Sequence, residues 1–111
     1  MIVKDIIRYL TEAGFNAFAE RPEEPPEEYL IVTLLSGGEK DKLMRAHVAI
    51  QSYAGSLFDT MQLDEQMRGA MEGFLATSDV SSCKLENYYN YTLAGMKQYR
   101  YQSVYDIHFF K

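Results

Sequence analysis

A chain of 111 residues that is 47% apolar, with nine tyrosines and six phenylalanines, has the size of one domain with one hydrophobic centre and is too apolar and too aromatic to remain disordered. A net charge of −5 disfavours free nucleic-acid binding, which needs a surface that attracts phosphates. No apolar run nears the ~20 residues that span a bilayer, and the N-terminus lacks a signal-peptide pattern, so a soluble, cytoplasmic protein is expected.

From the N-terminus, Ile2, Val3, Ile6, Ile7, Leu10 and Ala13 repeat at helical spacing with Lys4, Asp5, Arg8 and Glu12 on the other side. This predicts an amphipathic helix closed by Gly14. Phe15 to Glu20 alternates briefly and predicts a short strand suited to a sheet edge. Arg21 to Glu28, RPEEPPEE, cannot donate a regular hydrogen-bond ladder. It reads as an extended, solvated loop, either a connector or an arm that reaches a neighbour. Tyr29 to Ser36 is an unbroken apolar run of strand length, expected to be central or covered on both faces. Gly37-Gly38 predicts the turn that follows, with Glu39, Lys40, Asp41 and Lys42 at its exposed tip. The flanking runs then form an antiparallel hairpin with a loop of several residues. Ser36-Gly37-Gly38 does not read as a phosphate cradle, because it lies between two strands rather than before a helix.

Leu43 to Leu75 is the central unit. Its first part alternates, with Met44, Ala46, Val48 and Ile50 on one face and Arg45, His47, Gln51 and Tyr53 on the other. After Ala54-Gly55 the period lengthens. Leu57, Phe58, Met61, Met67, Ala70, Met71, Phe74 and Leu75 predict one buried helical stripe ending at Ser78-Asp79, with Asp59, Gln62, Asp64, Glu65, Arg68 and Glu72 on the wet side. The methionines Met61, Met67 and Met71 are expected as core fillers. Gly69 and Gly73 invite a close helix contact.

Val80 to Tyr91 and Tyr99 to Phe110 read as strands joined through Thr92 to Lys97. In the last strand Tyr99, Tyr101, Ser103, Tyr105, Ile107 and Phe109 share a face opposite Arg100, Gln102, Val104, Asp106 and His108. Cross-strand pairing of Tyr88, Tyr89 and Tyr91 with Tyr99, Tyr101 and Tyr105 is expected. The sum is one α+β domain over residues 1–111, with two helices packed on one face of a four- to five-stranded antiparallel or mixed sheet. The opposite face is left polar and aromatic.

No catalytic residue is expected, since neither His47 nor His108 has the setting of an activated nucleophile and the acids are dispersed along wet faces. Cys83 has no partner for a disulfide or a CxxC site. Both histidines read as ordinary strand residues, and no metal and no cofactor are expected.

Taken together, IVKDIIRYLTEAG at the N-terminus, ERP with its acidic-proline loop, VAIQSYAGS leading into the long helix and the terminal QYRYQSVYDIHFF give a chain that resembles the tail terminator and tail completion proteins of long-tailed bacteriophages, in a phage or a prophage. The resemblance implies helices on one side of a mixed sheet and self-assembly into a ring, commonly hexameric, on the head-proximal end of the tail tube. It implies tail tube and head or neck proteins as partners, DNA only passing through a lumen without sequence-specific binding, and no membrane. The location would be the bacterial host cytoplasm during assembly and then the virion. Head completion and other head-tail joining proteins are the nearest alternative, followed by a monomeric protein-binding adaptor domain. A closed ring needs two complementary patches. Candidates for them are Arg21, Pro22, Glu23, Glu24, Pro25, Pro26, Glu27 and Glu28 in the acidic loop, Gly37, Gly38, Glu39 and Lys40 in the expected turn, and Tyr89, Tyr91, Tyr99 and Tyr101 on the terminal hairpin.

Overall fold

The computed structural model describes residues 1–77, 79–95 and 98–110. Its elements are α1 (Ile2–Glu12), β1 (Ala17–Phe18), β2 (Tyr29–Lys40), β3 (Leu43–Ala54), α2 (Leu57–Met71), a 3₁₀ turn (Phe74–Ala76), β4 (Val80–Asn90) and β5 (Tyr99–Phe110). The strands form one sheet in the order β1-β2-β3-β5-β4. β1 pairs with β2 in parallel and every other pairing is antiparallel. The fold is therefore α+β with a five-stranded mixed sheet. No described helix is long and apolar enough to cross a membrane.

Local contacts close α1 and open α2. After α1, Gly14 at φ 103° takes the left-handed position and Phe15 N–H donates back to the Leu10 carbonyl at 3.0 Å, which satisfies an end carbonyl. α2 begins at Ser56, whose hydroxyl accepts from Asp59 N–H at 3.1 Å. α1 lies against β1 and β2, and α2 lies against β3 and β5. The core between them is built from Ile6, Leu10, Leu30, Val32, Val48, Ile50, Met67, Met71, Phe74 and Ile107.

Several expectations are corrected. Gly37, Gly38, Glu39 and Lys40 belong to β2 and not to a turn. The chain reverses at Asp41-Lys42, which both have positive φ, 53° and 68°. Two successive left-handed residues make the tight two-residue hairpin whose twist matches that of the strands, so the loop is shorter than expected. α2 ends at Met71, and the 3₁₀ turn replaces the expected last helical turn; Ser78 lies outside the described residues. Met96 and Lys97 of the expected connection also lie outside them.

The buried stripe of α2 is different too. Thr60, Leu63, Asp64, Met67 and Met71 face the sheet, while Phe58 is 72% and Met61 45% exposed and Leu57 is also exposed. Nine positions are about two and a half helical turns. Phe58 and Met67 therefore point to opposite sides, and one stripe cannot hold both. Asp64, expected on the wet side, is fully buried because it has partners there: Ser103 Oγ donates to it at 2.6 Å and Arg68 Nε at 2.8 Å. Thr60 is buried with its hydroxyl donating to the Ser56 carbonyl at 2.7 Å.

The tyrosines of β4 and β5 do not pair as expected. β4 carries an extra residue between Leu85 and Asn87, so Tyr88 sits opposite Ser103, Tyr89 opposite Gln102 and Tyr101 opposite Asn90. Without that bulge Tyr89 and Tyr91 would face Tyr101 and Tyr99.

Candidate functional site

The helices cover one face of the sheet. The other face carries side chains in rows that cross several strands, because residues in register on adjacent strands lie side by side. At one end Phe18, Tyr29 and Tyr53 form an aromatic row. The Phe18 and Tyr29 rings meet edge to face at 6.5 Å, and Tyr29 and Tyr53 stack at 4.8 Å with their planes 4° apart. Arg100 continues the row: it donates to Tyr53 Oη at 3.4 Å and lies 4.4 Å over the Tyr91 ring. Next comes a polar row, in which Gln51 donates to Gln102 at 2.8 Å, Gln102 to the Tyr89 hydroxyl at 2.6 Å and Tyr53 to Gln51 at 3.0 Å.

Further along, the charged groups gather. Arg45 Nε donates to Asp106 Oδ1 at 3.0 Å, and Arg45 Nη2 lies 3.5 Å from Oδ2. His47 Nε2 is 2.9 Å from Glu86 Oε1, 3.7 Å from Asp106 Oδ1 and 3.3 Å from Arg45 Nη2. The hydrogen bond from Arg45 holds the Asp106 carboxyl below the ordinary aspartate range and raises the guanidinium in turn. Ser36 Oγ stands 3.5 Å from His47 Nδ1. One imidazole and two carboxylates thus converge, with their ligand atoms all within 4.8 Å of one another.

This convergence is absent from the sequence reading, which takes His47 for an ordinary strand residue. The three side chains come from β3, β4 and β5, at least about 20 positions apart, and the only advance sign is that His47 and Asp106 both fall on the predicted polar faces.

The sequence-derived candidates are spread out. In the Arg21 to Glu28 loop the glutamates are exposed and the prolines half-buried, and Arg21 Nε lies 3.4 Å from the Tyr29 hydroxyl. The loop therefore anchors on the aromatic row rather than standing free. Gly37, Gly38, Glu39 and Lys40 are exposed strand residues. Tyr89 and Tyr91 lie on the uncovered face, whereas Tyr99 and Tyr101 lie on the helix side with Ser103 and Tyr105. The sheet separates the two pairs, so they do not form one patch.

On the helix side, α2 does not reach over β4. A groove of about 440 Å³ between them is lined by Glu65, Arg68, Gly69, Met71, Glu72, Cys83, Leu85 and Tyr105. Arg68 leans across it, 3.9 Å over the Tyr88 ring. Burial pushes the Cys83 thiol up to about 11 and raises the Tyr105 hydroxyl further still. A neutral thiol is a poor nucleophile, so the groove offers shape rather than reactivity. The sequence matches no known family model and no curated protein.

Proposed function

We propose that this chain is a non-catalytic structural subunit that assembles with copies of itself into a ring, of the tail terminator or tail completion type that caps the tail tube of a long-tailed phage and joins it to the head or neck. The observation that carries this reading is the misplaced apolar surface of α2. Leu57, Phe58 and Met61 stand in solvent on the first turns of a helix whose other face already covers the sheet. A side chain of this kind gains roughly 1.5–3 kcal/mol when fully buried, so leaving three outside makes sense for a surface covered on assembly. Exposed Tyr88, Tyr99 and Leu93 add apolar area elsewhere on the domain. A ring subunit makes two different contacts. At ~800 Å² per side each, they would cover about a quarter of the 6905 Å² surface. Neighbours would be the tail tube protein on one side and head or neck proteins on the other, in the bacterial cytoplasm during assembly and in the virion afterwards.

Sedimentation velocity at high concentration, and with tail tubes added, tests this. The wild-type chain should form a closed oligomer and the F58E/M61E variant should remain monomeric with stability changed by no more than about 0.5 kcal/mol, as for other exposed positions. A chain that is monomeric under both conditions, or a phage that builds normal tails without it, refutes the reading. A strict monomer that binds one partner stoichiometrically would point to the adaptor instead.

A further inference from the structure

We propose that His47, Glu86 and Asp106 form a site for one divalent first-row transition ion of the Zn²⁺ kind on the uncovered face of the sheet. The donor set is one imidazole nitrogen and two carboxylate oxygens, which suits such an ion better than the all-oxygen sets of Ca²⁺ or Mg²⁺. Bonds of ~2.0–2.2 Å set neighbouring ligand atoms roughly 2.8–3.1 Å apart in an octahedral shell and roughly 3.3–3.6 Å apart in a tetrahedral one. The 2.9 Å from His47 Nε2 to Glu86 Oε1 falls within those spacings and the 3.7 Å to Asp106 Oδ1 just outside them, with all three ligand atoms within 4.8 Å of one another, so side-chain rotation closes the set on an ion without rebuilding the backbone.

The backbone is shaped to make this cluster. β2 and β4 each carry a bulge beside the row that holds His47. In an unbroken ladder Leu35 would sit opposite His47; the inserted residue puts Ser36 there instead, with its hydroxyl 3.5 Å from Nδ1. At that distance the hydroxyl is within reach to accept from Nδ1–H in the tautomer that leaves the Nε2 lone pair for an ion, the usual arrangement behind a metal-bound histidine. In β4 the inserted residue is Glu86 itself, and Glu86 is the residue that reaches His47. Bulges re-aim side chains at functional sites in this way. Ion pairs of this exposure add only ~0–1 kcal/mol, so stability gives little reason for the arrangement.

Arg45 is the competitor. Its fork already occupies Asp106 and its Nη2 stands 3.3 Å from His47 Nε2, so an ion takes its place on both. Arg45 is exposed, and Gly38 stands opposite it with no side chain. The shallow cavity of about 130 Å³ lined by Ser36, Gly37, Gly38, Arg45 and His47 leaves room for the guanidinium to swing aside. The site does not depend on ring formation.

Isothermal titration of the purified chain with Zn²⁺, and Co²⁺ absorption as a second probe, test the proposal. One equivalent should bind, H47A and E86A should each weaken it by at least about tenfold, and S36A by about tenfold, as expected for a supporting partner. C83S should leave the titration unchanged. R45A should bind more tightly than wild type, which a mere surface charge network would not produce. Far-UV circular dichroism and melting of each variant separate loss of the site from loss of the fold. The proposal is overturned if no one-to-one binding occurs, if correctly folded H47A titrates like wild type, or if bound Co²⁺ shows thiolate charge-transfer bands, which would place the ion on Cys83.

Discussion

Gly73 offers the sharpest test of how the two helices are held together. It follows α2, and a Cβ added there would lie 2.5 Å from the Tyr9 hydroxyl of α1, far inside ordinary contact, while the next nearest atoms would be at 3.6 and 3.7 Å. Tyr9 cannot simply step back. Its hydroxyl donates to the Ala70 carbonyl at 2.6 Å and its ring meets Phe74 edge to face at 5.3 Å. G73A must displace that ring by about 1 Å, giving up a hydrogen bond of ~1 kcal/mol and part of an aromatic contact of ~0.5–1.5 kcal/mol. Against this, alanine removes ~0.4–1 kcal/mol of chain entropy from the unfolded state, and Gly73 has φ −83°, which alanine adopts freely. The net loss should be about 0.5–2 kcal/mol, or roughly 2–8 °C in melting temperature for a chain of this size. In Y9F the offending oxygen is gone and the remaining contacts are ordinary. There G73A should be neutral or stabilising by up to ~1 kcal/mol, so the double-mutant cycle should show a coupling of about 2 kcal/mol. Urea unfolding of the four proteins at constant m measures it. Equal effects of G73A in both backgrounds would refute the steric argument.

Other substitutions probe separate features, each by urea unfolding unless stated. Ser52 Oγ is buried with no hydrogen-bond partner among the described residues, so S52A should stabilise by up to ~1 kcal/mol. Ser103 donates to the buried Asp64 carboxylate, so S103A should cost about 1.5–3 kcal/mol; if the two serines respond alike, the bonding assigned to them is wrong. At the hairpin tip, K42G relieves a left-handed side-chain residue and should stabilise by about 0.5–1 kcal/mol, whereas a loss would mean the turn is not as described. Cys83, with its thiol pushed up to about 11 from 9.0, should react slowly with Ellman's reagent in the folded protein at pH 8–9 compared with the urea-unfolded chain. Because the folded state retains the proton longer, this thiol's contribution to stability should be constant below pH 9 and fall between 9 and 11, a fall that C83S removes. Labelling as fast as that of the unfolded chain would refute it.

What could be read from the residues was whatever depends on a simple period. The alternation of β3 is honoured because Ala46, Val48 and Ile50 are all buried on one side, and a slip of one position would turn each of them outward. The faces of β5 follow for the same reason. What stayed hidden depends on partners distant in the chain. Asp64 looks like a solvent residue until Arg68 and Ser103 are beside it. Gly37-Gly38 looks like a turn, yet the left-handed residues are Asp41 and Lys42, and no glycine was needed there. The Gly69-Gly73 spacing invited a close helix contact, but a Cβ at Gly69 would meet nothing within 4 Å, and at Gly73 the near group was a side chain. It was the hydroxyl of Tyr9. Nothing in a strand-length apolar run marks a bulge. The register around His47, and with it the cluster of acids, was therefore out of reach.

The sheet is open at both borders. On one side β4 is open along Val80–Asn90. On the other, β1 pairs only with Leu30 and Ile31, so among the described residues β2 has no strand on that side from there to Lys40. Each molecule thus carries two long open borders, and a strand laid on one leaves the other free. Backbone pairing alone would not stop at two copies, so whatever closes or limits an assembly has to come from side chains.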